Sequence, residues 1–287
     1  MIALDAATVL LQWAVGGMAF CWYTTRRRMV GLGYGWLLRG TYLLLGLGAF
    51  AAGLILDPVP VREAAALAFA VACLAVLGVS IARRRAGVAG QRAEHDRRTA
   101  RVAAMTGIER TRTSTAGQAD AGPEFPPVLD LVPVAIGAIG LVAGAIAAGG
   151  NPFVSLLRTF AGAAFLGAIT DAMLLGHWYL VQPGLPRRLL HELVDALGWV
   201  WPVEVVALLL PTGMLSVFTG AVDDGWGGML GWMWAACAIT TIVLVGVTRA
   251  ALREREYSAV MAATGLLYLA ILTAFGTDLV ARAVLAG

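Results

Sequence analysis

The chain has 287 residues, 59% hydrophobic and 14% charged, with a net charge of +3. Soluble domains carry about 25% charged residues, so composition argues against a water-soluble enzyme or binding domain. The positive balance is arginine alone, set in short clusters between apolar runs, which points to membrane topology rather than to nucleic acid as a partner.

The apolar runs are of the length a helix needs to cross roughly 30 Å of hydrocarbon. They lack the alternation of a membrane-barrel strand, and a helix satisfies its own backbone in lipid. The expectation is an all-α integral membrane protein, a bundle of about eight transmembrane helices. Mean hydropathy is +0.78. Arginine without lysine reads as the bias of a GC-rich bacterial genome, which places the chain in a bacterial cytoplasmic (inner) membrane. Cys21, Cys73 and Cys237 fall in separate apolar runs, with no CxxC pair, and read as small buried side chains. The first residues, MIALDAATVLLQW, lack the basic start of a signal peptide and read as a first span with an acidic outer end.

In chain order, the first span covers about 7–24 and ends at Arg26, Arg27 and Arg28. The second covers about 40–56, with Tyr34, Trp36 and Tyr42 near its start, and Pro58 and Pro60 break the helix after it. The third, about 63–82, ends at Arg83, Arg84 and Arg85. Residues 83–127 then form the one long hydrophilic segment. It carries nine arginines between Arg83 and Arg112, His95 facing solvent, a first half of helical character and a second half without a folding signal. Spans four to eight follow at about 128–148, 153–181, 187–210, 228–247 and 257–281. Gly140 and Gly144 form a GxxxG read as a packing face. Leu37-Leu38-Arg39 and Leu156-Leu157-Arg158 repeat one tripeptide at the start of two oppositely directed spans, and the match stops there.

The arginine clusters follow every odd-numbered span, whereas the even-to-odd loops carry only Arg62. The positive-inside rule puts the basic loops in the cytoplasm and both termini outside. The chain divides into a three-helix segment (1–82), a basic cytoplasmic loop (83–127) and a five-helix segment (128–287).

An ionisable side chain inside a span costs roughly 2.5 to 3.5 kcal/mol and asks for a partner or a purpose. Asp171 and His177 close the fifth span, and His191, Glu192 and Asp195 open the sixth, so a short turn brings five such residues to one depth. Three readings stand: a proton relay or quinone headgroup site, a pair of metal or haem ligands (His177 and His191), or a wet, structural helix junction. Toward the outside, Arg158, Glu204, Asp278 and Arg282 share another depth, as a salt-bridged girdle or the outer end of a proton path.

Tryptophans 226, 232 and 234 lie in DDGWGGMLGWMW, loosely similar to the WGxxWxWD motif of bacterial cytochrome c assembly proteins. Those proteins flank the motif with outer histidines, which this chain lacks, and the stretch reads as an interfacial aromatic belt. There is no Walker A pattern, no HExxH, no hydrolase elbow and no aspartate-rich diphosphate signature, so no reaction is assigned. The leading functional expectation is a membrane subunit of an electron-transfer or proton-coupled redox system, quinone-linked and seated with other membrane subunits in the lipid bilayer. The alternatives are a proton-coupled small-solute permease, for which Pro202 inside the sixth span is the favouring feature, and a structural partner subunit.

Overall fold

The structure, a computed structural model, describes residues 4–106, 123–182, 184–254 and 256–285. Among them every regular element is a helix: α1 (Ala6–Thr25), α2 (Leu32–Ile55), α3 (Pro60–Ala82), α4 (Ala89–Thr106), α5 (Leu131–Ala147), α6 (Pro152–Val181), α7 (Arg188–Leu209), the single turn α8 (Leu215–Phe218), α9 (Met229–Ala251) and α10 (Tyr257–Leu285). Seven of these, α1, α2, α3, α5 with the 3₁₀ turn before it, α6, α9 and α10, are long and apolar enough to cross a membrane. The protein is therefore a multi-pass helical membrane protein in contact with bilayer lipid. Two long helices remain: the polar α4, and α7, which carries Arg188, Glu192, Asp195 and Glu204 within 22 residues.

Local chemistry sets the helix starts. The Asp5 carboxylate caps α1, accepting from the Thr8 amide at 3.1 Å. Asn151 caps α6 at the Phe153 and Val154 amides, with Pro152 as the first helical residue. Pro60 opens α3 in the same way. Helix α2 begins at Leu32, eight residues before the expected start, because Tyr34 and Leu38 are themselves core residues with no exposed surface. Those two extra turns carry Arg39 into the bundle. The basic segment supplies α4, the polar helix expected of it. Its second half, residues 107–122, and the side chain of His95 lie outside the described residues.

Helix α1 is the central post, packed on α2, α5 and α6. The sheet of neighbours continues from α2 to α3 and from α3 to α5 on one side, and from α6 to α7 and α10, then α9, on the other. The α1–α6 seam is backbone against backbone: a Cβ on Gly16 would fall on the Ala163 carbonyl, and one on Gly167 would strike Gly16 itself. Gly140 and Gly144 face Leu11 and Ala65, and Thr8 and Arg62, so the GxxxG is a packing face toward α1 and α3. The bundle has two unlike ends. One, the basic end, gathers Arg26 to Arg28, Arg83 to Arg85, Arg187, Arg188 and Arg249; the other holds the α5–α6 turn and the loop before α9.

Candidate functional site

The five ionisable residues around the α6–α7 turn take separate partners. Asp171 is buried and accepts a short hydrogen bond from Tyr42 of α2, while Tyr34 donates to its backbone carbonyl at 3.4 Å. His177 is exposed beside Tyr268 of α10, at 3.3 Å. His191 Nε2 donates to the Leu252 carbonyl at the end of α9, at 2.9 Å. Glu192 pairs with Arg27 at 2.8 Å and Arg188 at 3.4 Å, and Asp195 with Arg249 at 2.9 Å. No hydrogen bond or ion pair among the described residues joins these five to one another, and among the described residues no group of three His, Cys, Asp or Glu side chains could hold a metal ion.

The reason is geometric. A tight turn brings α6 and α7 to one depth, but helix periodicity then sends the side chains of each to different neighbours. Asp171 faces α2, His177 faces α10, His191 and Asp195 face the end of α9, and Glu192 faces the end of α1.

The second predicted group does come together, at the end opposite the basic one. Arg282 Nε donates to both Asp278 oxygens, at 2.8 and 2.9 Å, and its Nη2 donates to the Arg158 carbonyl at 2.9 Å. Gln12 of α1 donates to Asp278 at 3.4 Å. Glu204 of α7 lies beside the Asp278 carboxyl, with Arg282 and Arg158 as its nearest cations. Glu204 and Asp278 have no exposed surface, and neither Glu204 oxygen has a hydrogen-bond partner of ordinary geometry among the described residues. The Arg158 guanidinium is given to backbone carbonyls, those of Ala207 at 3.1 Å and Leu210 at 2.5 Å, and forms no ion pair among the described residues. Gly162 makes the convergence possible: a side chain there would collide with Gln12, Arg282 and Asp278 together.

A cavity of about 460 Å³ opens directly over this group, between the ends of α1, α5, α6, α7 and α10. Arg158, Arg282 and Thr159 form its polar floor, and Val9, Val154 and Leu208 are among its apolar walls. Leu208 and Arg282 line it, so Glu204 and Asp278, each four residues earlier on its helix, sit one helical turn, about 6 Å, deeper. The volume falls in the range of small-molecule sites, which combine apolar walls with a few placed polar groups.

Sequence reasoning missed a third ionic group. At the basic end, Arg39 grips Asp130 with two bonds of 2.7 Å, donates to Ser80 at 3.2 Å and stacks under Phe125, 4.4 Å from its ring centre. Both partners are buried. Asp130 comes from the 3₁₀ turn Pro127–Asp130 and Phe125 from the end of the basic segment. Glu124, next to Phe125, pairs with Arg28 at 3.2 Å and with Arg92 of α4, so the segment's end is tied to three helices. Near the opposite end Arg62, also buried, joins Asp5 at 2.6 Å and Glu63 at 2.8 Å. The loop before α9 owes its shape to Asp224, whose carboxylate accepts from the amides of Gly228, Trp226 and Leu230 at 2.8 to 2.9 Å; these bonds, that from Gly228 foremost, hold it below the usual carboxylate range. Trp226 and Trp232 project outward there, whereas Trp234 is buried.

Comparison with known protein families, curated proteins and solved structures finds no match for this chain.

Proposed function

We propose that the chain is a proton-coupled permease for a small solute in a bacterial cytoplasmic membrane, crossing it eight times with both termini outside. In this reading α7 also crosses the bilayer, with Glu204 buried inside the bundle and Arg188, Glu192 and Asp195 gathered at its basic end, and that end is cytoplasmic, because arginine clusters mark that side. The cavity then opens outward.

The observation that carries the reading is the 460 Å³ cavity set one turn above a buried carboxyl pair, of which Asp278 has Arg282 as its ion-pair partner and Glu204 has none among the described residues. An unpaired buried carboxyl is costly unless it takes up a proton or exchanges partners. Next to a solute-sized space, that property links protonation to occupancy. The quinone or haem alternative has less support, since Asp171, His177, His191, Glu192 and Asp195 are each engaged with a different neighbour.

The test is solute-dependent proton entry into proteoliposomes holding a trapped pH dye, with an acid-outside gradient. A panel of carboxylates, amino acids and sugars is added in turn. At least one should acidify the lumen above protein-free vesicles, and Glu204→Gln should abolish that response. A panel without any protein-dependent acidification rejects the permease.

A further inference from the structure

The cavity's chemistry selects one solute class. Resting on the permease reading, we propose that the site takes a small carboxylate with an apolar body, and that each anion bound brings one proton onto the Glu204–Asp278 pair. Three observations lead there. First, the polar floor offers two guanidinium groups, of which Arg158 has no carboxylate partner among the described residues and spends its bonds on carbonyls. Guanidinium forks match carboxylate geometry and stay charged at any working pH. Second, the walls are apolar, Val9, Val154, Leu208, Pro211 and Leu285 among them, which suits a hydrocarbon body better than a fully hydrated phosphate. Third, the charges count out. Arg158 and Arg282 balance Glu204 and Asp278 when both acids are ionised, and Arg62 near the cavity edge, already shared by Asp5 and Glu63, has no charge to spare for a further anion. An entering anion leaves this group one negative charge in excess in a low-dielectric setting.

A proton removes the excess. When the solute carboxylate takes a share of Arg282, Asp278 loses part of its partner, and Glu204, already beside it, can hold the proton between the two carboxyls. Gln12 of α1 is the remaining polar neighbour, and the one charged side chain of α9, Arg249, lies at that helix's other end. Anion and proton enter together and the net charge moved is zero. By reciprocity, a proton that tightens anion binding is itself bound more tightly when the anion is present.

The experiment is isothermal titration calorimetry of the nanodisc-embedded protein with acetate, benzoate and succinate, and with benzamide as the neutral counterpart of benzoate. Runs in two buffers of different ionisation heat give the protons taken up per anion. At least one carboxylate should bind, about one proton should accompany it, and affinity should fall as pH rises. Benzamide should bind at least about tenfold more weakly than benzoate. Arg158→Gln should weaken carboxylate binding by about tenfold or more, a 1.4 kcal/mol change; Arg158→Lys, which keeps the charge and loses the fork, should fall between. Glu204→Gln should lower the proton count. The proposal is overturned by the absence of carboxylate binding at millimolar concentration, by benzamide matching benzoate, by phosphate binding in place of the carboxylates, or by anion binding without proton uptake. Carboxylate binding with proton uptake but no solute-driven acidification would remove the permease and keep the site. Acidification by neutral solutes alone would do the reverse.

Discussion

Arg39 and Arg158 follow the same Leu-Leu pair, each in the second turn of its helix, and their fates differ. Arg39 has a dedicated carboxylate held by two bonds, a hydroxyl and an aromatic lid. Its charge is fully paired, and the space beside it, about 30 Å³, holds little more than a water. Arg158 has two carbonyls, a neighbouring arginine, an acid beside it that it does not pair with, and open space above. A buried charge that is fully partnered behaves as a lock, and its removal exposes the partner to an uncompensated desolvation cost. A buried charge left partly partnered next to a cavity keeps its binding capacity for something that comes and goes. The Arg39 and Arg158 groups are thus built from the same residue types, and how fully each is paired is what separates them.

That contrast can be broken by experiment. Asp130→Ala should be the most damaging change, because it strands the Arg39 guanidinium in the core; a loss of about 3–5 kcal/mol is expected for one broken buried pair. Denaturant unfolding in detergent micelles measures it, and a loss under 1 kcal/mol would mean that the pair is not a lock. Gly162→Ala comes next. The added methyl has no space between Gln12, Arg282 and Asp278, and overpacking of this kind costs about 1–3 kcal/mol. It should also reduce solute-driven acidification, which a purely packing role elsewhere in the bundle would not. Glu204→Gln should change stability least, within about 1 kcal/mol, since no hydrogen bond is lost and a buried charge is removed. Unfolding of this variant beside Asp130→Ala is the sharpest form of the comparison: similar destabilisation in the two would erase the distinction between lock and site.

Most of the architecture was legible in the apolar runs, because a helix in lipid must be long and continuous. The group of Arg158, Glu204, Asp278 and Arg282 was legible for the same reason: charges at one depth in separate spans have few places to go but to each other. Asp130 was not. It sits three residues after Pro127 at the edge of an apolar run and reads as an ordinary helix start, and its partner Arg39 lies 91 positions away. Arg39 in turn falls just before the expected start of the second span, because the glycines around it hid the first two turns of α2. Neither periodicity nor spacing marks such a pair; only the docking of Phe125 and the 3₁₀ turn into the bundle creates it. Around the α6–α7 turn the difficulty is of another kind. Closeness along the chain suggested closeness of side chains, but Asp171, His177, His191, Glu192 and Asp195 point outward from two helices to four different neighbours.

The α1–α6 seam has a mechanical consequence. With Gly16 seated on the Ala163 carbonyl and Gly167 on Gly16, the two helices touch backbone to backbone at this crossing, and Trp13 donates to Thr170 across the same seam. Sliding or rolling one over the other would force backbone atoms through each other, so no soft rotamer can absorb the movement. The pair acts as a single strut running the depth of the protein. Three of the cavity's five helices lie outside that strut, and α7, where Pro202 cannot donate to the Gly198 carbonyl, is the wall best able to bend. If the cavity is a solute site, that side is where a shape change on occupancy meets least resistance, with α1 and α6 holding Gln12 and Arg158 in register.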